Sequence, residues 1–192
     1  LVLISLLVAI LASYTALDMA GRINSTHDKG ATLWLVGGAI AMGIGIWSMH
    51  FIGMLSFKLP IALGYDLSIT VLSLLIAIVA SGFALWRISQ AELPFMKLLS
   101  SAVLMGIAIA AMHYTGMAAM RMTPGIEYDP WLFALSILIA ISASGAALWI
   151  AFRLRRNTPN VGRLRAMAAI VMGTAITVSY THLRAHETSL HL

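Results

Sequence analysis

Met42-Gly43-Ile44-Gly45-Ile46-Trp47-Ser48-Met49-His50-Phe51-Ile52-Gly53-Met54 and Met105-Gly106-Ile107-Ala108-Ile109-Ala110-Ala111-Met112-His113-Tyr114-Thr115-Gly116-Met117 are two copies of one pattern, Met-Gly-x-small-Ile-x-x-Met-His-aromatic-x-Gly-Met. Each copy closes a long apolar segment, so the repeated unit is a whole helix end. Internal repetition of this kind constrains the fold before any local propensity does. A third copy starts at Met172-Gly173-Thr174-Ala175-Ile176, and its register calls for a histidine at position 180, where Tyr180 stands.

The segments around the repeats are those of a membrane protein. The chain is 60% hydrophobic and 10% charged, with a mean hydropathy of +0.93, far from the composition of a soluble domain. Apolar stretches of about 20 residues span the hydrocarbon core as helices, which satisfy their own backbone polar groups. Six are expected, over 1–20, 31–55, 67–87, 95–120, 131–152 and 164–180. The fold class is therefore all-α, a polytopic transmembrane helix bundle with six helices present and a seventh expected to be lost. The first segment has no initiator Met, basic leader or small-residue cleavage site, so it reads as a span truncated at its start and not as a signal peptide.

No cysteine is present, which removes disulfides, thiolate metal sites and thiol catalysis together. The net charge of +5 does not indicate nucleic acid, because the basic residues are spread over short loops. Their placement reports topology. Arg22, Lys29, Arg87, Lys97, Arg153, Arg155, Arg156, Arg163 and Arg165 fall in odd-numbered loops, and only Lys58 and Arg121 fall in even ones. Lys and Arg accumulate on the cytoplasmic side, so the N-terminus and both Met-His motifs are expected to face the periplasmic or external side.

From Val178 the character changes. Val178-Ser179-Tyr180-Thr181-His182-Leu183-Arg184-Ala185-His186-Glu187-Thr188 resembles the translated frame of a transposase-type sequencing-library adapter. On that resemblance 1–177 is one membrane domain and 178–192 a non-native tail, and His182, His186 and His191 leave the functional argument.

The chemistry then rests on the repeats. On a helix His50 and Met54 share a face, as do His113 and Met117, while adjacent Met49 and His50 point about 100° apart. Imidazole with thioether, without carboxylate or thiolate, suits copper and suits Mg or Ca poorly. The candidate metal ligands are His50, His113, Met54 and Met117, followed by Met49 and Met112. Two other readings stay open: a proton-relay or hydrogen-bonded His pair, and plain packing, since a lone buried His is more often bonded across helices. What raises the functional readings is that two ionisable groups sit in identical local sequence at one membrane depth. A haem protein or transporter using the pair is the alternative class, but no pair of broken helices and no acidic residue at mid-depth supports transport. No nucleophile-and-base arrangement or phosphate loop gives a catalytic reading.

Other residues have simpler expectations. Gly37, Gly38, Gly43, Gly45, Gly53, Gly106 and Gly116 should let helices approach closely. Trp34, Trp131 and Tyr128 should anchor at interfaces. Met96 and Met167 should pack. Asp18 and Asp66 should be solvated, and Tyr14 and Thr15 should offer hydroxyls to neighbouring helices.

With Ala12-Ser13-Tyr14-Thr15-Ala16-Leu17 in the first span, the two complete repeats and the interrupted third, the chain resembles the MHYT domain, a bacterial membrane sensor module. Its name is spelled by Met112-His113-Tyr114-Thr115. The resemblance implies copper held by Met and His near the outer face of the inner membrane, with His50 and His113 in the ligand positions. It also implies sensing of a diatomic gas (O2, CO or NO) or of redox state, and a following cytoplasmic diguanylate cyclase or phosphodiesterase. A homodimer is the expected assembly. The third histidine of the resemblance is missing here.

Overall fold

The structure is a computed structural model that describes residues 2–25, 29–55, 64–121, 129–154 and 162–171. Five long helices carry it: α1 (Val2–Ser25), α2 (Lys29–Leu55), α3 (Leu67–Ser89), α4 (Phe95–Ala118) and α5 (Pro130–Leu154). All five are long and apolar enough to cross a membrane, and a sixth, α6, is described over 162–171. The remainder of the span expected over 164–180, the third repeat from Met172, Tyr180 and the 178–192 tail lie outside the described residues, as does Tyr128.

The helices are apolar nearly all round, so small side chains and not an amphipathic stripe decide which face packs. Large side chains such as Leu3, Leu72, Val79 and Leu138 face outward, where lipid chains replace water as the partner. Met96 and Met167 are also on this outer surface, so they do not fill the interior as expected.

Backbone presses closest on backbone at two glycines. A Cβ at Gly43 would fall 2.6 Å from the Ile78 Cα, and a Cβ at Gly106 would fall 2.6 Å from the Ile141 Cα. These contacts are copies of each other, displaced by the 63 residues that also separate His50 from His113. The helix starts obey the same interval. The Asp66 carboxylate accepts from the Ser68 and Ile69 N–H groups, and that of Asp129 from the Trp131 and Leu132 N–H groups. Each thereby satisfies donors that the first helical turn leaves open. The α2–α3 and α4–α5 hairpins are thus two castings of one unit.

Along the odd-numbered helices runs a second repeat that the Met-His motifs overshadow. Ala12-Ser13-Tyr14-Thr15-Ala16-Leu17 on α1, Ala80-Ser81-Gly82-Phe83-Ala84-Leu85 on α3 and Ala143-Ser144-Gly145-Ala146-Ala147-Leu148 on α5 share the pattern Ala-Ser-x-x-Ala-Leu. Leu17, Leu85 and Leu148 are 0%, 0% and 3% exposed, so the pattern marks the inward face of every odd helix. Those three helices touch one another, α2 packs between α1 and α3, and α4 between α3 and α5. Arg165 of α6 reaches both the Leu154 carbonyl of α5 and the Asp18 carboxylate of α1.

Both acidic residues expected to be solvated are partly exposed and are paired as well. Asp18 accepts from Arg22 at 2.7 Å and meets Arg165 at 3.5 Å. Asp66 pairs with Arg121 and caps α3. Thr15 bonds back to the Leu11 carbonyl of its own helix, the usual outlet for a hydroxyl within an apolar helix, and so does not reach a neighbour.

Candidate functional site: a histidine pair at one end of the bundle

His50 and His113 lie near the ends of α2 and α4 that face the same end of the bundle. Their Nδ1 atoms stand 3.4 Å apart, and the rings meet edge to face at 71° with centroids 4.9 Å apart. His50 is 2% exposed and His113 half-buried. Two N–H bonds cannot face each other at that distance, so at least one Nδ1 presents a lone pair.

The pair is held from several sides. Gly116 gives the His50 ring its place: a Cβ there would sit 2.7 Å from His50 Nε2. Phe51 meets His50 edge-on and Tyr114 meets His113 likewise. Behind them, the Trp47 indole N–H donates to Ser73 Oγ, and the Tyr114 hydroxyl bonds Ser136 Oγ at 2.7 Å. Ser73 and Ser136 are repeat equivalents, but the aromatic that reaches each comes from a different position of the motif. Ser5 of α1 donates to the Met49 carbonyl, fixing the motif to the first helix.

A short strap closes this end of the bundle. Gly64–Tyr65 (β1) and Met120–Arg121 (β2) pair antiparallel, the Asp66 N–H donates to the Ala119 carbonyl, and the Tyr65 ring meets Phe51 at a tilt of 52°. The Arg121 guanidinium and the helix N–H groups hold the Asp66 carboxyl below its ordinary range, since both favour the charged form.

Of the six ligands expected from the sequence, the structure brings the two histidines together directly. Met49, Met54 and Met112 are buried, and Met117 is half-buried. Among the described residues no three His, Cys, Asp or Glu side chains converge on a metal position, so a metal would need thioether donors or donors from elsewhere. The pair itself fits one: two nitrogens each about 2.0–2.1 Å from a tetrahedral ion lie about 3.3 Å apart, close to the 3.4 Å found here. The aromatic–serine bonds and the Gly116 cradle were not legible as site features, although the repeat interval would have matched Ser73 with Ser136.

Comparison with known proteins gives this site a context. Residues 43–101 and 106–162 match MHYT, described as a bacterial signalling protein N-terminal repeat. The chain is 62% identical to the Pseudomonas aeruginosa bifunctional diguanylate cyclase/cyclic di-GMP phosphodiesterase MucR over 97% of its own length and 27% of the relative. It is 44% identical to the cyclic di-GMP phosphodiesterase NbdA of the same organism, over 94% of the chain and 23% of the relative. It is 34% identical to the signalling protein YkoW of Bacillus subtilis, over 96% and 23%. The chain thus spans about a quarter of the length of these relatives. No solved structure matches it.

Proposed function

The chain belongs to the MHYT family of bacterial signalling proteins, and from that premise we propose that it is the membrane input module of a protein that controls cyclic di-GMP turnover. The names of two relatives support this output, since their matched quarter accompanies cyclase or phosphodiesterase activity in the whole protein. Among the described residues it is the histidine pair that supports a sensor reading.

The sensing element is the His50–His113 pair, and the observation that carries the reading is the 3.4 Å separation of their Nδ1 atoms. In this reading the two imidazoles hold copper, with Met54 and Met117 and then Met49 and Met112 as thioether partners. Copper held there would supply a redox-active centre with affinity for a diatomic gas (O2, CO or NO). The residues around it set the geometry: Gly116 admits the His50 ring, and Phe51 and Tyr114 pack edge-on against the two imidazoles. A shift in the distance between α2 and α4 biases a two-state equilibrium, which is all an input module must do.

The proposed orientation puts the pair at the periplasmic side of the bacterial inner membrane. Arg22, Arg87, Arg153 and Arg165 collect at the opposite end of the helices, where three of them lie over Trp34, Trp86 and Trp149. That is the distribution expected of a cytoplasmic face lined by interfacial aromatics.

A second reading is a hydrogen-bonded or proton-relaying pair, which the same separation accommodates without metal. Metal analysis of the purified membrane protein separates the two. Copper retained by the wild type and lost from the His50→Ala, His113→Ala double variant supports the metal site, and equal metal content in both overturns it. A Soret absorption band would move the assignment to haem.

A further inference from the structure

Directly beneath the histidine pair the bundle leaves about 30 Å³ of space between α2, α3 and α4. Helical spacing explains its position. Ile46 and Met42 stand four and eight residues before His50, and Ile109 and Met105 four and eight before His113, so the two faces that bring the rings together also line the space below them. One turn is 5.4 Å, so the upper wall formed by Ile46 and Ile109 lies about that far from the rings. Met112 completes the upper wall, and Ala80, Ser81 and Ala84 of α3 form the back.

The walls are apolar with one exception. Ser81 is 1% exposed, lines the space, and its hydroxyl has no hydrogen-bond partner among the described residues. A buried water needs two to four polar partners, and one hydroxyl does not supply them. Cavities of this character stay dry and take apolar guests. Size narrows the guest: about 10–15 Å³ of such space holds one water-sized sphere, so the cavity accepts about two heavy atoms.

We propose that this cavity is a docking site for an apolar diatomic molecule, set one helical turn below the histidine pair and offering it three thioether-bearing walls and a single hydroxyl. The proposal deepens the gas-sensing reading of the pair and rests on it for its biological meaning, but occupancy of the cavity is a separate physical fact. A guest held here lies between the two helices that carry the histidines, so it raises the local concentration at the pair and resists their closer approach.

Xenon is the probe, with the full chain in nanodiscs, methionine methyls labelled with carbon-13, and copper content measured on the same samples. Saturable xenon-dependent shifts of the Met42, Met105 and Met112 methyls are expected, with Met96 and Met167 on the outer surface following only the linear response of the lipid. Ala108→Leu, which fills the cavity, should abolish the saturable shifts, and the smaller Ala108→Val serves if the first variant misfolds. Shifts that are linear at all methyls, or saturable shifts that persist in both variants, overturn the cavity. Saturable shifts without copper in the wild type leave the cavity standing and remove the metal reading; copper without saturable shifts does the reverse.

Discussion

Gly116 of α4 lies against the ring of His50 on α2, so closely that a methyl group at position 116 would sit 2.7 Å from His50 Nε2 and 3.1 Å from its Cδ2. The glycine of the second Met-His motif therefore makes room for the histidine of the first. Gly116→Ala is expected to push the His50 ring away from His113 and to reduce bound metal, while overall stability falls modestly because a ring can rotate where backbone cannot. Gly37→Ala, where nothing lies within 4 Å, should leave metal content unchanged. Metal analysis with histidine nitrogen NMR on both variants checks this, and equal behaviour of the two would refute the cradle.

Gly43 and Gly106 face backbone, which cannot yield. Each Cβ would meet the Cα and N atoms of Ile78 or Ile141 within 2.8 Å, so Gly43→Ala and Gly106→Ala should each cost about 2–3 kcal/mol, the upper range for overpacking. The sites are equivalent but do not share partners, so the double variant should show near-additive loss. Thermal unfolding in detergent gives the values.

The strap over the histidines depends on pH. The folded-state pKa of Asp66 is depressed by Arg121 and by the α3 N–H groups. Its contribution is therefore present above the ordinary aspartate value of about 3.9 and is lost as pH falls through the lower folded value. Asp66→Asn keeps a good capping side chain and loses only the ion pair, so its stability difference from the wild type should shrink below about pH 4. A difference that grows on acidification would contradict the assignment.

At the opposite end, Arg165 is 6% exposed and depends on Asp18 and the Leu154 carbonyl. Asp18→Asn should cost about 2 kcal/mol, below the 3–5 typical of fully buried pairs, because the Asp18 side chain is 26% exposed. The Asp18→Asn, Arg165→Gln double variant should recover part of that loss. In a whole protein the single variant should also change output at constant input, since the pair ties α6 to α1.

The helices were legible because length and hydropathy alone decide a membrane span. The expected 67–87 and 95–120 differ from α3 and α4 by two residues at one end. The histidines' equal depth was legible from the repeated register. Their contact was not, since register says nothing of how two helices rotate about their own axes. The ion pairs escaped for a related reason: Asp18 and Arg165, or Asp66 and Arg121 55 residues apart, meet only through the fold. The Ala-Ser-x-x-Ala-Leu repeat stands out poorly in the sequence, because small residues are so common in membrane helices that a recurrence of three of them with a leucine carries little contrast.

The duplicated glycine contacts make the bundle mechanically uneven. Within each hairpin, Gly43 against Ile78 and Gly106 against Ile141 leave backbone pressed on backbone, and that interface is stiff. Across the boundary between the hairpins, the unfilled space and flexible methionine side chains form a compliant seam. His50 belongs to one of these units and His113 to the other, so a change at the pair is expected to act first on the boundary between them, which the β1–β2 strap also crosses.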